Sequence, residues 1–320
     1  MRPTGRWRPV AIVGPTASGK SDTALEVARR LAARDGGPRA ELVSVDSMAV
    51  YQGMDIGTDK PSAVVRHEVR YHLLDLVPAS EEFSVAQFQL AATDALAGIH
   101  DRGAVPVLVG GTGLHLRAVV DALDLPGRFP DVAAGLEASL DEAARAGTVH
   151  DALAELHAML ARLDPVAARR IETGNRRRLV RALEVTLGAG RPFSSYGPGL
   201  ERYPPSPVAL VGLAPDGADL ERRIEARVTA HLEAGLVSEV RRLLDAPGGL
   251  SRTARQAVGY REVLDHLEAG RPLDDAVEAI VRRTRTLAKR QWAWFRRDPR
   301  IVWVERRAAV DAVIEAVSSA

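Results

Sequence analysis

Gly14-Pro15-Thr16-Ala17-Ser18-Gly19-Lys20-Ser21 fills every fixed position of the phosphate-loop pattern G-x-x-x-x-G-K-[ST]. Such a loop turns a row of backbone N–H groups, and the positive end of the helix that follows, onto one anion. Lys20 adds a point charge on the phosphates, and the Ser21 hydroxyl is placed to hold Mg²⁺. Lys20, Lys60 and Lys289 are the only lysines among 43 basic residues, the rest being arginine. A lysine kept at position 20 in so arginine-rich a chain suggests that a compact ammonium is needed there. The pattern says that a di- or triphosphate is held, and nothing about which bond breaks.

A second chemical group stands at Asp46, just past the apolar run Glu41-Leu42-Val43-Ser44-Val45. Parallel α/β sheets bind ligands at the carboxyl ends of their strands, so Asp46 should share a rim with the phosphate loop. Two roles compete on the residues alone: organiser of a metal in a kinase, or proton acceptor in a transferase. The apolar run Val105–Val109 ends in Gly110-Gly111-Thr112-Gly113 and supplies no acid. The histidines show no metal-ligand spacing, although His72 and His115 lie near strand ends.

A third constellation is basic. Arg282, Arg283, Arg285, Lys289, Arg290, Arg296 and Arg297 interleave with Trp292, Trp294 and Phe295, and no acid falls between 282 and 297. This pattern fits backbone contacts plus base stacking on RNA, or else a solvated helix whose tryptophans face a core. Arg176-Arg177-Arg178 with Arg181 forms a second cluster, in which Arg177 and Arg181 share a helix face. A small acceptor needs neither surface, whereas a structured RNA would use both.

The elements that must position these groups follow from periodicity. Pro9–Val13 reads as a buried strand, and Asp22–Ala33 as a helix with Leu25, Val27, Ala28 and Leu31 on its apolar face. Glu41–Val45, Tyr71–Val77 and Val105–Val109 read as further strands, Ser84 as the cap of a helix, and Leu114 to about Leu123 as another helix. Residues 51–61 read as a polar surface loop. The fold class is therefore α/β, a phosphate-loop parallel sheet covered by helices, with a helical insertion and a helical C-terminal part. The expected divisions are 1–125 for the first part of the core, 126–187 for the insertion and 188–320 for the return to the core. Val208–Leu213 then reads as a strand, followed by helices near 216–233, 235–245, 258–268 and 274–297, with Ile301–Val304 as a last strand or docked tail.

Composition narrows the class. Hydrophobic residues at 46% and charged residues at 27% are ordinary for a globular protein. No apolar run is long enough to span a membrane, and the N-terminus lacks the core of a signal peptide. The absence of cysteine excludes disulfides and thiolate metal sites, which fits a cytoplasmic protein. A net charge of +1 argues against a uniformly basic nucleic-acid binder and leaves only local clusters.

Along most of its length the chain resembles the bacterial tRNA dimethylallyltransferases. The resemblance is carried by GPTASGKS at 14–21, VSVDSMAVYQGMDIGTDKP at 43–61 and YHLLDLVPASEEFSVAQF at 71–88. It continues in VPVLVGGTGLHLRAVVD at 105–121, NRRRLVRALEV at 175–185, RQAVGYRE at 255–262 and RTRTLAKRQWAWFRRD at 283–298.

That resemblance implies transfer of a dimethylallyl group from dimethylallyl diphosphate to N6 of the adenosine 3′ of the tRNA anticodon. It implies diphosphate binding by residues 14–21, Mg²⁺ at Ser21, and catalytic roles for Lys20, Asp46 as general base, and Thr112. It places contacts to a tRNA anticodon stem-loop at Asp46, Ser47, Met48, Ala49, Thr112, Arg177, Arg178, Leu179, Val180, Arg181, Gln256, Gly259, Tyr260 and Arg261. It departs from the family at His115, where a tyrosine is usual, and at small Ala49, where longer polar side chains are common. A monomer is expected. The rival readings are an adenylate isopentenyltransferase, a small-molecule phosphate-loop kinase and a non-catalytic RNA-binding protein; the last would leave the loop and Asp46 idle.

Overall fold

A computed structural model describes residues 7–197 and 199–319. In chain order the first part runs β1 (Val10–Val13), α1 (Lys20–Ala32), β2 (Ala40–Val45), β3 (Tyr51–Gln52), α2 (Ala63–Glu68), β4 (Tyr71–His72) and β5 (Val77–Pro78). It continues with α3 (Val85–Asp101), β6 (Val105–Gly110) and α4 (Gly113–Val120). Four helices follow: α5 (Pro130–Arg145), α6 (Val149–Leu163), α7 (Pro165–Arg170) and α8 (Arg176–Ala189). The last part holds β7 (Ala209–Leu213), α9 (Gly217–Glu233), α10 (Leu236–Asp245), α11 (Tyr260–Ala269), α12 (Leu273–Phe295), β8 (Ile301–Val304) and α13 (Ala309–Ser318).

Two compact units result, residues 1–122 with 203–320, and residues 123–202. In the first, six parallel strands lie in the order β4-β2-β6-β1-β7-β8. Alternate residues of β1 serve opposite faces, as the two-residue period of a strand requires. Ala11 and Val13 join Val43, Phe88 and Leu108 in one core layer, while Val10 and Ile12 join Val27, Leu31 and Val313 in the other. Both faces are covered, which is why these strands read as unbroken apolar runs. Ser84 caps α3 with a reciprocal capping box to Gln87.

Two sequence expectations for this unit need correction. Tyr71–Val77 is not one strand: after His72 the chain turns through Leu73 and Asp75 at φ 63° and 56°. That turn lets Lys60 and Arg66 grip the Asp75 carboxylate, and Val50 O accept from Leu76 N and Val77 N. Residues 51–61 are only in part a surface loop: Gln52, Gly53, Asp55 and Asp59 are exposed, but Tyr51 and Met54 are fully buried. The buried Glu239 carboxylate accepts from Asp55 N, Ile56 N and the Tyr260 hydroxyl, and the buried Lys60 ammonium donates to Tyr51 O, Asp55 and Asp75. Two charged side chains thus satisfy the backbone groups that folding this polar segment inward would otherwise strand.

The second unit packs α5 to α8 around Leu140, Leu153, Leu160, Leu179 and Leu183. It extends beyond Leu187, because Phe193 packs on this core and Asp164 accepts from both Ser194 N and Ser194 Oγ at 2.7 Å. The segment after α8 therefore belongs to the helical unit and not to the returning core.

Candidate active site

Strand register brings the chemistry together. Val13 pairs with Gly110, and Gly110 with Val45, so Gly14, Gly111 and Asp46 each begin one residue past a common row. The phosphate loop, the Gly111-Thr112 loop and the Asp46 loop therefore leave the same rim on three adjacent strands.

The phosphate loop is shaped for an anion and surrounded by cations. Lys20 Nζ donates to Pro15 O at 2.6 Å, a bond within the loop itself. Burial first, then Arg227 and Arg223, bring its pKa from 10.5 down to about 7, against an upward pull from Asp46. Arg227 donates to Thr16 Oγ1 at 2.6 Å and is held from behind by Asp59. Asp59 also accepts from His231 at 2.6 Å; burial and Arg227 keep that imidazole neutral, with a pKa of about 4. Ser18 is 6% exposed, and its Oγ is buried without a hydrogen-bond partner.

Asp46 accepts from Met48 N at 2.7 Å and Ala49 N at 3.3 Å, both through Oδ1. Thr112, at the start of α4, accepts from Ser47 N at 3.3 Å and so ties the Asp46 loop to the glycine loop. His115, one turn along α4, stacks edge-on against Phe88 with centroids 4.7 Å apart. Burial lowers its pKa to about 4, and its Nδ1 is buried without a partner.

Gln291 of α12 links the two loops: Thr16 N donates to its Oε1 at 2.7 Å, and its Nε2 donates to Gly111 O at 3.1 Å. A side chain at Gly111 would collide with Gln291, and one at Gly113 with Trp294, so both glycines allow this close approach. Among the described residues no cluster of three or more His, Cys, Asp or Glu could cage a metal. Ser21 is exposed at the first turn of α1, and its hydroxyl is the hard oxygen donor that Mg²⁺ takes.

The structure divides the expected RNA contacts. Arg177 and Arg178 are exposed, but Leu179 and Val180 lie at 0% and 5% exposure in the helical core, so their side chains hold α8 in place. Arg181 donates to Pro126 O and Gly127 O and pairs with Glu184. Gln256 and Arg261 are joined at 3.3 Å, and both are exposed. Gly259 is buried, as is Tyr260, whose phenol is pushed up by burial and Glu239 and stays protonated. Ala49 is also buried.

The aromatic run of α12 faces inward. Phe295 is buried, Trp294 packs on the core, and Trp292 stacks edge-on against Trp303 at 4.6 Å. Arg283 pairs with Glu262, and Arg285 with Glu221 and Glu225. Acids distant in sequence thus take up two of the seven cations, while Lys289, Arg290, Arg296 and Arg297 stay exposed. Arg223, Arg227, Asp59 and Gln291 are site residues that sequence reasoning missed. The signal to be had was the i, i+4 spacing of Arg223 and Arg227 on the helix that follows β7.

The fold and site define a phosphate-loop α/β protein whose anion cradle shares a sheet rim with a carboxylate just past the next-but-one strand, with a separate helical unit. The model of the IPP transferase family matches residues 49–298, and the chain belongs to that family. It is 45% identical over 296 residues to the tRNA dimethylallyltransferase of Desulforudis audaxviator, covering 92% of this chain and 91% of that one. Identity to the tRNA dimethylallyltransferase of Thermobifida fusca is 46% over 296 residues, covering 92% and 89%. The crystal structure of the full-length tRNA isopentenylpyrophosphate transferase from Bacillus halodurans aligns with a TM-score of 0.65 at 36% identity, over 96% of this chain and 94% of that one.

Proposed function

We propose that this enzyme transfers a dimethylallyl group from dimethylallyl diphosphate to N6 of the adenosine next to the tRNA anticodon, acting as a cytoplasmic monomer. The observation that carries the reading is the common rim on which Asp46 and Thr112 stand beside a cation-rich phosphate loop. The C1–O bond of the donor breaks and diphosphate leaves with the electron pair, drawn by the loop amides, Lys20, Arg223 and Arg227. The N6–C1 bond forms, and the N6 proton passes to Asp46, whose Oδ2 is not used by the Met48 and Ala49 bonds. Mg²⁺ at Ser21 would supply further charge to the departing diphosphate. The adenine must leave its stack to reach the rim. No helix among the described residues is long and apolar enough to cross a membrane.

Incubation with radiolabelled dimethylallyl diphosphate, Mg²⁺ and unmodified tRNA tests it. Label should enter tRNA with release of pyrophosphate, and Asp46→Ala should slow transfer by at least about a hundredfold, as loss of a general base does. Label entering free adenylate instead, or transfer of the γ-phosphate of ATP, would replace this reading with one of its rivals.

A further inference from the structure

Beside the phosphate loop lies a cavity of about 380 Å³, lined by Ser18, Arg223 and Arg306 and also by the carboxylates Asp216, Asp219 and Glu305. Arg306 belongs to the turn between β8 and α13, outside residues 49–298 matched by the family model. A methyl group on Gly19 would stand 2.8 Å from Arg306 Nε and 3.2 Å from Arg223 Nη2, so both guanidiniums press on the last glycine of the loop.

This is a costly place for two cations. Gly19 caps the N-terminus of α1, where the helix presents its positive end. Arg223 and Arg306 also repel each other, and burial with that repulsion holds the Arg223 guanidinium below its ordinary range. Compensation is weak: Asp22 lies 3.8 Å from Arg306 and 4.0 Å from Arg223 and is 76% exposed, and Asp219 lies 3.9 Å from Arg223. The unpartnered Ser18 hydroxyl lines the same cavity. Of the carboxylates that also line the cavity, Glu305 pairs with Arg307 and Asp219 stands off Arg223, so Arg306, the helix N-terminus and the Ser18 hydroxyl are left without a close anion.

We propose that Arg306 is a further diphosphate-binding residue, its guanidinium pairing with oxygens of the anion held in the phosphate loop, both in the prenyl donor and in released pyrophosphate. The prenyl-donor half rests on the transferase reading; the pyrophosphate half does not. Calorimetric titration of Mg²⁺-pyrophosphate into wild type, Arg306→Ala, Arg306→Lys and Arg34→Ala separates the two. Arg34, exposed beyond the far end of α1, controls for loss of one charge.

Arg306→Ala should weaken pyrophosphate binding by about tenfold, the size expected for removing one charge-assisted hydrogen bond. KM for dimethylallyl diphosphate should rise in step, with kcat and the KM for tRNA held within about twofold. Arg306→Lys should recover part of the loss and Arg34→Ala should show none. Pyrophosphate affinity in Arg306→Ala equal to that of wild type would overturn the assignment. Weakened pyrophosphate binding in a protein that prenylates nothing would leave Arg306 in its role and remove the transferase reading instead.

Discussion

Lys20 carries its charge conditionally. Without an anion it titrates at about 7, so at pH 8 most of the loop lysine is neutral. A bound diphosphate favours the ammonium, so binding above pH 7 must draw in a proton and affinity must fall as pH rises. The expected slope is about one log unit per pH unit between the free and bound pKa values. Titrations of pyrophosphate at pH 8.5, in buffers of differing ionisation enthalpy, should show an uptake approaching one proton relative to Lys20→Met. Identical proton uptake in that variant would assign the linkage to another group. Lys20 was legible because its pattern fixes every neighbour, and Asp46 because a strand ends there. Arg223 and Arg227 were not, since in a chain whose cations are nearly all arginine no single one stands out.

The strands and helices that carry the site were visible as apolar runs and periodicity; their side-chain partners were not. The α12 segment shows why. Its sequence holds cations and aromatics, but Glu221, Glu225 and Glu262 arrive from two other helices and Trp303 from a strand. Periodicity cannot announce pairings between elements that far apart in sequence. Leu73 and Asp75, left-handed without being glycine, hid the break after β4 for a similar reason: tertiary interactions fix them.

The main contribution of α12 to the site is Gln291, which fastens the diphosphate loop to the loop of Thr112. In the proposed reaction, a latch between the leaving-group and acceptor loops should act on alignment, and small misplacements there are costly in rate. Gln291→Ala should lower kcat by about tenfold with KM for dimethylallyl diphosphate changed less than about threefold. Gln291→Glu keeps an acceptor for Thr16 N–H, loses the donor to Gly111 O and adds a negative charge, so it should also raise that KM. Wild-type kcat in Gln291→Ala would show that the loops hold their alignment unaided.

At the scale of the whole chain, a net charge of +1 must still serve a polyanionic substrate, so cations not consumed by internal pairing decide binding. The structure sorts them. In the helical unit Arg176 is spent on Glu137 and Asp141, and Arg181 on Glu184, Pro126 O and Gly127 O. Arg177 and Arg178 are exposed on the same helix. Replacing both with alanine should weaken tRNA binding by about tenfold at moderate salt and reduce the slope of log affinity against log salt, by about 0.7 to 0.9 for each phosphate no longer neutralised. Pyrophosphate affinity should not change, because both residues belong to the unit that lacks the phosphate loop. Arg181→Ala should instead lower the melting temperature, since two carbonyls lose this donor and the nearly buried Glu184 carboxylate loses its ion pair, keeping only the Phe129 N–H. An unaltered salt slope in the Arg177/Arg178 variant would move RNA recognition to other surfaces, with Gln256 and exposed Arg261 next in line.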